Sequence, residues 1–336
     1  MKKSIPNLPL YIILLMVMVT MAILNPSRFL TVRNFYSMAY QLPFLAFLSM
    51  GQMVPIIGGG INLAIVATAN FTGIMTAMLL RMLAGGNAMG ASGLAICLAM
   101  LGGIVAALAA GALSGFLIGY LRVPDILATL GTMTLLNGVN IVLTKGYTLT
   151  GFPDALIAIG NGVFLGMPIP FWIFLVVAVL FKVLLEKTGF GYSLYMMGSS
   201  YTASKFSGIN TRSVIMRGYL LSSLFAALTA FIMMGQLNSV KANYAESYLL
   251  VSVLACFLGG VDPLGGAGKV SGLVISVAIL QVISTGVNLL RMDPFFILAM
   301  WGFIVLAIIA INHYSGNFKG FFANLGMGRG TTLGDR

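Results

Sequence analysis

The groups that could do chemistry in this sequence are few. Seven acidic residues occur in 336 (Asp125, Asp154, Glu186, Glu246, Asp262, Asp293 and Asp335), and His313 is the one histidine. They form no paired carboxylates, metal cluster or nucleophile constellation, so the sequence does not read as an enzyme and implies no cofactor. Cys97 and Cys256 fall inside apolar runs, where they read as small packing residues rather than a disulfide or metal pair. Gly265-Gly266-Ala267-Gly268-Lys269 faintly resembles a phosphate loop. That pattern also needs a glycine where Pro263 stands and a Ser or Thr where Val270 stands, so it fails.

Chemistry of another kind is concentrated in the polar run from Lys187 to Arg217. It includes Gly198-Ser199-Ser200-Tyr201-Thr202-Ala203-Ser204-Lys205-Phe206-Ser207-Gly208-Ile209-Asn210, and all its charges are positive. Tyr201, Phe206 and Ile209 stand at roughly helical spacing. They predict a short amphipathic helix offering an apolar face to a partner, with Lys205 and Arg212 at its rim. The alternative is a solvated basic loop held by lipid head groups.

The elements that must position this run are membrane helices. The chain is 59% hydrophobic and 7% charged, with mean hydropathy +1.03, against roughly a quarter charged in soluble domains. The net charge of +11 does not point to nucleic acid, because the basic residues lie between apolar spans as membrane topology requires.

Ser4–Ser27 holds a first helix, read as uncleaved because no small-x-small site precedes Asn25-Pro26. Asn34–Leu80 runs 47 residues without a charge and fits two crossings. Its break falls at Pro55 to Asn62, where a proline and three glycines cannot continue a helix cheaply. Further spans follow from Leu94, at Ile126–Thr144, Pro168–Phe181 (extendable past Lys182), Gly218–Val240, Val270–Leu290 and Pro294–Ile311. Ser247–Val261, only 15 residues, must be little tilted, extended or broken.

The expected fold is therefore all-α: a polytopic membrane bundle of about ten helices, broken near residues 55–62 and carrying a cytoplasmic coupling helix. Residues 1–318 form one transmembrane domain with the segment 187–213 inside it, and residues 319–336 are a short tail. With the N-terminus in the cytoplasm, 12 Lys and Arg fall inside and 6 outside. This bias places both termini and the 187–217 run in the cytoplasm. Every acidic residue then lies at a span end, in a loop or in the tail. Ion-coupled carriers hold their ion with an ionisable group inside the membrane, so energy for pumping must come from a partner.

Three stretches together resemble the membrane permease subunits of bacterial ABC importers of the ribose, galactose, xylose and autoinducer-2 class. They are Arg122 to Met133, Gly198 to Asn210, and the glycine-rich Gly259-Gly260-Val261-Asp262-Pro263-Leu264-Gly265-Gly266-Ala267-Gly268. The resemblance covers about residues 40 to 311. It implies an inner-membrane permease that pairs with a second copy or a paralogue and works with a cytoplasmic ATPase with tandem cassettes and a periplasmic sugar-binding protein. It also implies that Gly198, Tyr201, Ala203, Lys205, Phe206, Ser207, Gly208 and Ile209 sit in a groove of the ATPase, and that Gly259, Gly260, Gly265, Gly266 and Gly268 form a cytoplasmic loop.

The sequence departs from the family pattern in three places. Gly59-Gly60-Ile61-Asn62-Leu63-Ala64 carries an amide where the family has an acid, Tyr201 and Thr202 replace an acidic pair, and Ala267 replaces an arginine. These losses suggest the divergent member of a two-permease heterodimer. Asn62 either contacts solute beside the broken helix, with Gly59 and Gly60, or caps the helix that follows. Gln52, Asn70, Asn137 and Asn140 are further amides for a solute path or for interhelical hydrogen bonds. The function expected is ATP-driven import of a sugar or sugar-like solute. The alternative is a secondary carrier or facilitator that needs no ATPase.

Overall fold

A computed structural model describes residues 7–86, 88–293 and 295–307. Lys2, Lys3, Asn87, His313, the end of the last span and the tail 319–336 lie outside them. The chain divides after Met292 into two units.

The first unit is a helix bundle. Its helices are α1 (Leu8–Leu24), α2 (Pro26–Phe29), α3 (Val32–Ile57), α4 (Ile65–Leu83), α5 (Gly93–Gly119), α6 (Asp125–Thr144), α7 (Asp154–Asn161), α8 (Ile169–Lys187), α9 (Gly189–Ser199), α10 (Tyr201–Phe206), α11 (Thr211–Leu237), α12 (Tyr248–Leu258) and α13 (Val270–Leu289). The second unit contains α14 (Phe295–Ala307), started by the Asp293 carboxylate, which accepts from Phe295 N at 2.7 Å. Among the described residues, seven helices are long and apolar enough to cross a membrane (α3, α4, α5, α6, α8, α11 and α13), and α1, α12 and α14 are shorter apolar helices.

Burial sorts these helices by role. α3, α4, α11 and α13 are mostly enclosed, whereas α5, α6 and α8 turn apolar side chains outward, as lipid-facing helices do. Small residues set the closest approaches. Gly103 meets Thr72 and Thr76 of α4, while Gly111, Gly115 and Gly119 lie against α11 from Ser223 down to Arg212. With no hydrophobic gain between helices in lipid, such backbone proximity supplies the packing energy.

Two short antiparallel ladders lie between the helices, outside the all-α expectation. Leu149–Thr150 (β1) pairs with Ser239–Val240 (β4), and Val163–Phe164 (β2) with Met167–Pro168 (β3). They belong to a polar cap at one end of the bundle, where Arg81 donates to Thr150 O and Asn238 Oδ1 accepts from Phe152 N. The other end holds the break after α3.

The short helix expected in the polar run is present as α10, and most of the run on either side of it is helical too. One reading is corrected: Arg212 and Arg217 belong to α11, which begins seven residues before the expected Gly218. The polarity of the run comes largely from helix starts: the side chains of Thr188, Ser200 and Asn210 accept from Gly191 N, Ala203 N and Ser213 N to begin α9, α10 and α11. The short span after residue 247 resolves as the broken alternative. α12 is only 11 residues, Tyr248–Leu258, preceded by non-helical chain from Lys241 that packs into the bundle.

Candidate coupling junction and solute cavities

At the end of α3 the backbone stops being helical, yet its polar groups are accounted for. Gly59 N and Gly60 N return to Ile56 O and Pro55 O. Thr129 of α6 donates to Ile61 O at 3.1 Å. The Gln52 carboxamide faces the Asn62 peptide. In the orientation that satisfies both groups, its nitrogen donates to Asn62 O at 2.9 Å and its oxygen accepts from Asn62 N at 3.3 Å. The Asn62 side chain accepts from Ala64 N at 3.0 Å and donates to Ser222 Oγ of α11 at 2.9 Å. Its oxygen therefore holds a turn just ahead of α4, whose N-cap is Ala64 without a side-chain cap, so Asn62 does not cap the helix as the capping alternative requires. Irregular backbone at membrane depth persists only where it is satisfied in this way.

Gln52 is 0% exposed, so its replacement strands two backbone groups. Gln52→Leu is expected to cost about 2–4 kcal/mol, read as a lowered unfolding temperature in detergent.

The break, the 198–210 stretch and the glycine-rich loop meet at one point. Gly266 N donates to Ile57 O at 2.8 Å. A Cβ on Gly198 would overlap the Ile57 carbonyl oxygen and sit 2.5 Å from Gly266 N. Gly265 lies against Gly59, and Gly266 against Ser199. Tyr195 of α9 donates to Gly268 O at 2.8 Å; burial, and secondarily the Glu186 carboxylate, push its phenol above the usual range and keep that proton in place. Gly259 packs against Leu273 of α13, whereas Gly260 has open space around it.

α10 projects from this junction. Its helix is closed by Gly208 at φ +82°, with Gly208 N and Ile209 N bonding back to Lys205 O and Ser204 O, the Schellman arrangement. Helix termination at this turn corrects the expected three-residue face: Tyr201 and Phe206 are on α10, but Ile209 lies in the turn beyond it. Tyr201, Thr202, Ala203, Lys205, Phe206 and Ser207 are exposed, Phe206 at 88%, while Ser204 points inward. No described atom stands near a Cβ on Gly208, so its cost is conformational. Gly208→Val is expected to cost about 1–3 kcal/mol at this turn and to lower ATP-driven uptake at unchanged membrane insertion.

Among the cavities beside the described elements, two bear on a solute path. The first, about 540 Å³, is walled by the break at Gly58–Gly60, by Arg122 and Asp125 at the start of α6, by Tyr201 and Lys205 of α10, and by Tyr219 of α11. Asp125 faces the break closely enough that a Cβ on Gly60 would strike its carboxylate. The second, about 260 Å³, lies between α4, α6 and the chain entering α12. Asn70, Asn137 and Glu246 are its polar lining, with Leu63, Val66 and Met133 among the apolar walls.

The expected amides therefore separate. Gln52 and Asn62 are occupied at the break, with Gly59 and Gly60 on the first cavity. Asn70 and Asn137 line the second cavity. Asn140 is buried beside it and donates to Ala67 O at 3.3 Å.

The sequence reading passed over Asp125, Thr129, Ser222 and Glu246. Asp125 follows Pro124 and reads as a span end, which it is. Its inward aim depends on the Gly60 contact, which nothing in local spacing announces.

A polytopic bundle with a satisfied helix break, a glycine-lined junction and a projecting short helix defines a membrane transport component. The family described as branched-chain amino acid transport system / permease component matches residues 34–311, and the chain belongs to it. Among its relatives, the ribose import permease protein RbsC of Bacillus subtilis (strain 168) is 32% identical over 93% of both chains. The D-allose transport system permease protein AlsC of Escherichia coli (strain K12) is 25% identical over 90% of both. The autoinducer 2 import system permease protein LsrC of Salmonella paratyphi B is 26% identical over 85% of this chain and 80% of its own. No solved structure matches the chain significantly. The match agrees with the resemblance read from the three motifs, and the chain is a permease component of a transport system.

Proposed function

We propose that this chain is the membrane permease of an ATP-driven importer for a sugar or sugar-like solute. The observation that carries the reading is the convergence of Ile57, Gly198 and Gly266 at one hydrogen-bonded point. That point joins an exposed helix to the wall of a cavity, so a force applied to α10 reaches the break in α3 through backbone contacts rather than flexible side chains.

In this reading α1, α3, α4, α5, α6, α8, α11, α12, α13 and α14 supply ten crossings. The end bearing the break faces the cytoplasm, as the excess of Lys and Arg there supports. Both termini are then cytoplasmic, in the inner membrane of a bacterium. A tandem-cassette ATPase takes Phe206 and Tyr201 into a groove, with Lys205 at its rim. Burying a phenylalanine there is worth about 1.5–3 kcal/mol. ATP-driven closure of that partner moves α10 and rocks the bundle between outward- and inward-open states. The first cavity is the inward vestibule, and a periplasmic binding protein delivers solute at the opposite end. The sugar assignment draws on the ribose, D-allose and autoinducer 2 permeases among the relatives.

Tagged chain purified from its native membrane tests the assembly. The reading expects an ATPase in the complex and a second, non-identical permease. An active complex containing only copies of this chain would remove the heterodimer, and an active chain without any ATPase would remove the reading.

A further inference from the structure

The second cavity holds acceptors without partners. Asn70, 1% exposed, donates through Nδ2 to Ala242 O and Tyr244 O, each at 3.0 Å. Its Oδ1 is buried and bonded to nothing among the described residues. A buried carboxamide oxygen left dry costs about 1–3 kcal/mol, a cost that a polar guest reaching it would relieve. The same two donated bonds clamp the non-helical segment before α12 onto α4, which is what brings Glu246 to the cavity wall. Neither the Glu246 carboxylate nor the Asn137 amide meets a hydrogen-bond or ion-pair partner among the described residues.

We infer that Glu246, Asn70 and Asn137 form the solute-reading site of this permease, and that it takes a neutral polyhydroxylated molecule. This rests on the import reading above and specifies its ligand. A carboxylate only accepts hydrogen bonds, and a buried amide oxygen does likewise. Vicinal hydroxyls supply the matching donors, and those given to a carboxylate are the stronger, charge-assisted kind. Asn137 can both give and accept. No cation lines the cavity, so a phosphate or carboxylate on the guest would meet Glu246 uncompensated. A free amino acid can offer its ammonium to Glu246, but its carboxylate then finds only the Asn137 amide as a side-chain donor in this lining. The volume, about 260 Å³, equals roughly nine waters at ~30 Å³ each. It suits one small solute and excludes an oligosaccharide.

Two readouts test this on the full chain and its complete importer. In the first, Glu246 of the purified chain is modified with a water-soluble carbodiimide and quantified by mass spectrometry, with D-ribose, D-allose, ribose 5-phosphate or L-leucine present at high millimolar concentration. Ribose or allose is expected to slow modification at least threefold, and the phosphate and leucine are not. In the second, ATP-driven uptake of ribose and allose is measured for Glu246→Gln and Glu246→Ala. An at least tenfold loss is expected, and Glu246→Asp should recover part of it. Protection by leucine or ribose 5-phosphate, or normal uptake by both variants, would overturn the inference while the import reading stands. A wild-type importer that carries neither sugar with ATP would overturn the sugar reading and this inference with it.

Discussion

Phe206→Asp is expected to abolish ATP-driven uptake without disturbing the fold. The ring is 88% exposed, so the protein alone loses almost nothing when it is removed, and membrane insertion and unfolding temperature should match the parent. In the complex the change forfeits about 1.5–3 kcal/mol of apolar burial and forces a carboxylate into an apolar groove, a larger penalty. ATPase affinity should fall at least about 100-fold. Co-purification with the ATPase and solute uptake both read this. Normal uptake would place the energy input somewhere other than α10.

Gly198→Val is expected to separate docking from transport. The added side chain must overlap the Ile57 carbonyl and crowd Gly266 N, both backbone, so neither can yield as a flexible side chain would. The Gly266 N to Ile57 O bond opens, and α9 is pushed off the break. Overpacking of this kind costs about 1–3 kcal/mol or more, so unfolding temperature should drop. The surface of α10 is untouched, so the ATPase should still co-purify while uptake falls to background. Loss of both together would mean that the junction shapes α10 itself instead of transmitting from it.

The sequence made some of this legible, and physics explains the division. The break was readable because three consecutive glycines, Gly58 to Gly60, have strong local backbone preferences, although Pro55, also expected to break the helix, lies inside α3. The 187–217 stretch was readable as a gap in hydropathy with one short helix in it, but the helices on either side of that one were not. Thr188, Ser200 and Asn210 look like loop residues because caps and loops draw on the same side chains. Spacing alone puts Ile209 on a helical face because it ignores the stop imposed at Gly208. Gln52 resembled a pathway amide, since nothing local says that its partner is a peptide ten residues ahead. Glu246 stayed unread for the same reason at greater range: it acquires meaning only when Asn70, 176 residues earlier, binds the carbonyls of Ala242 and Tyr244. α12 was recognised as too short, but periodicity could not show that non-helical chain precedes it.

In the reading proposed above, energy enters this membrane protein from an ATP-hydrolysing partner. Solute uptake into liposomes holding this chain, with and without the ATPase, its permease partner, the binding protein and ATP, tests it directly. Accumulation against a gradient is expected only when every component and hydrolysable ATP are present. Uptake by the chain alone, at a rate the other components do not change, would contradict it.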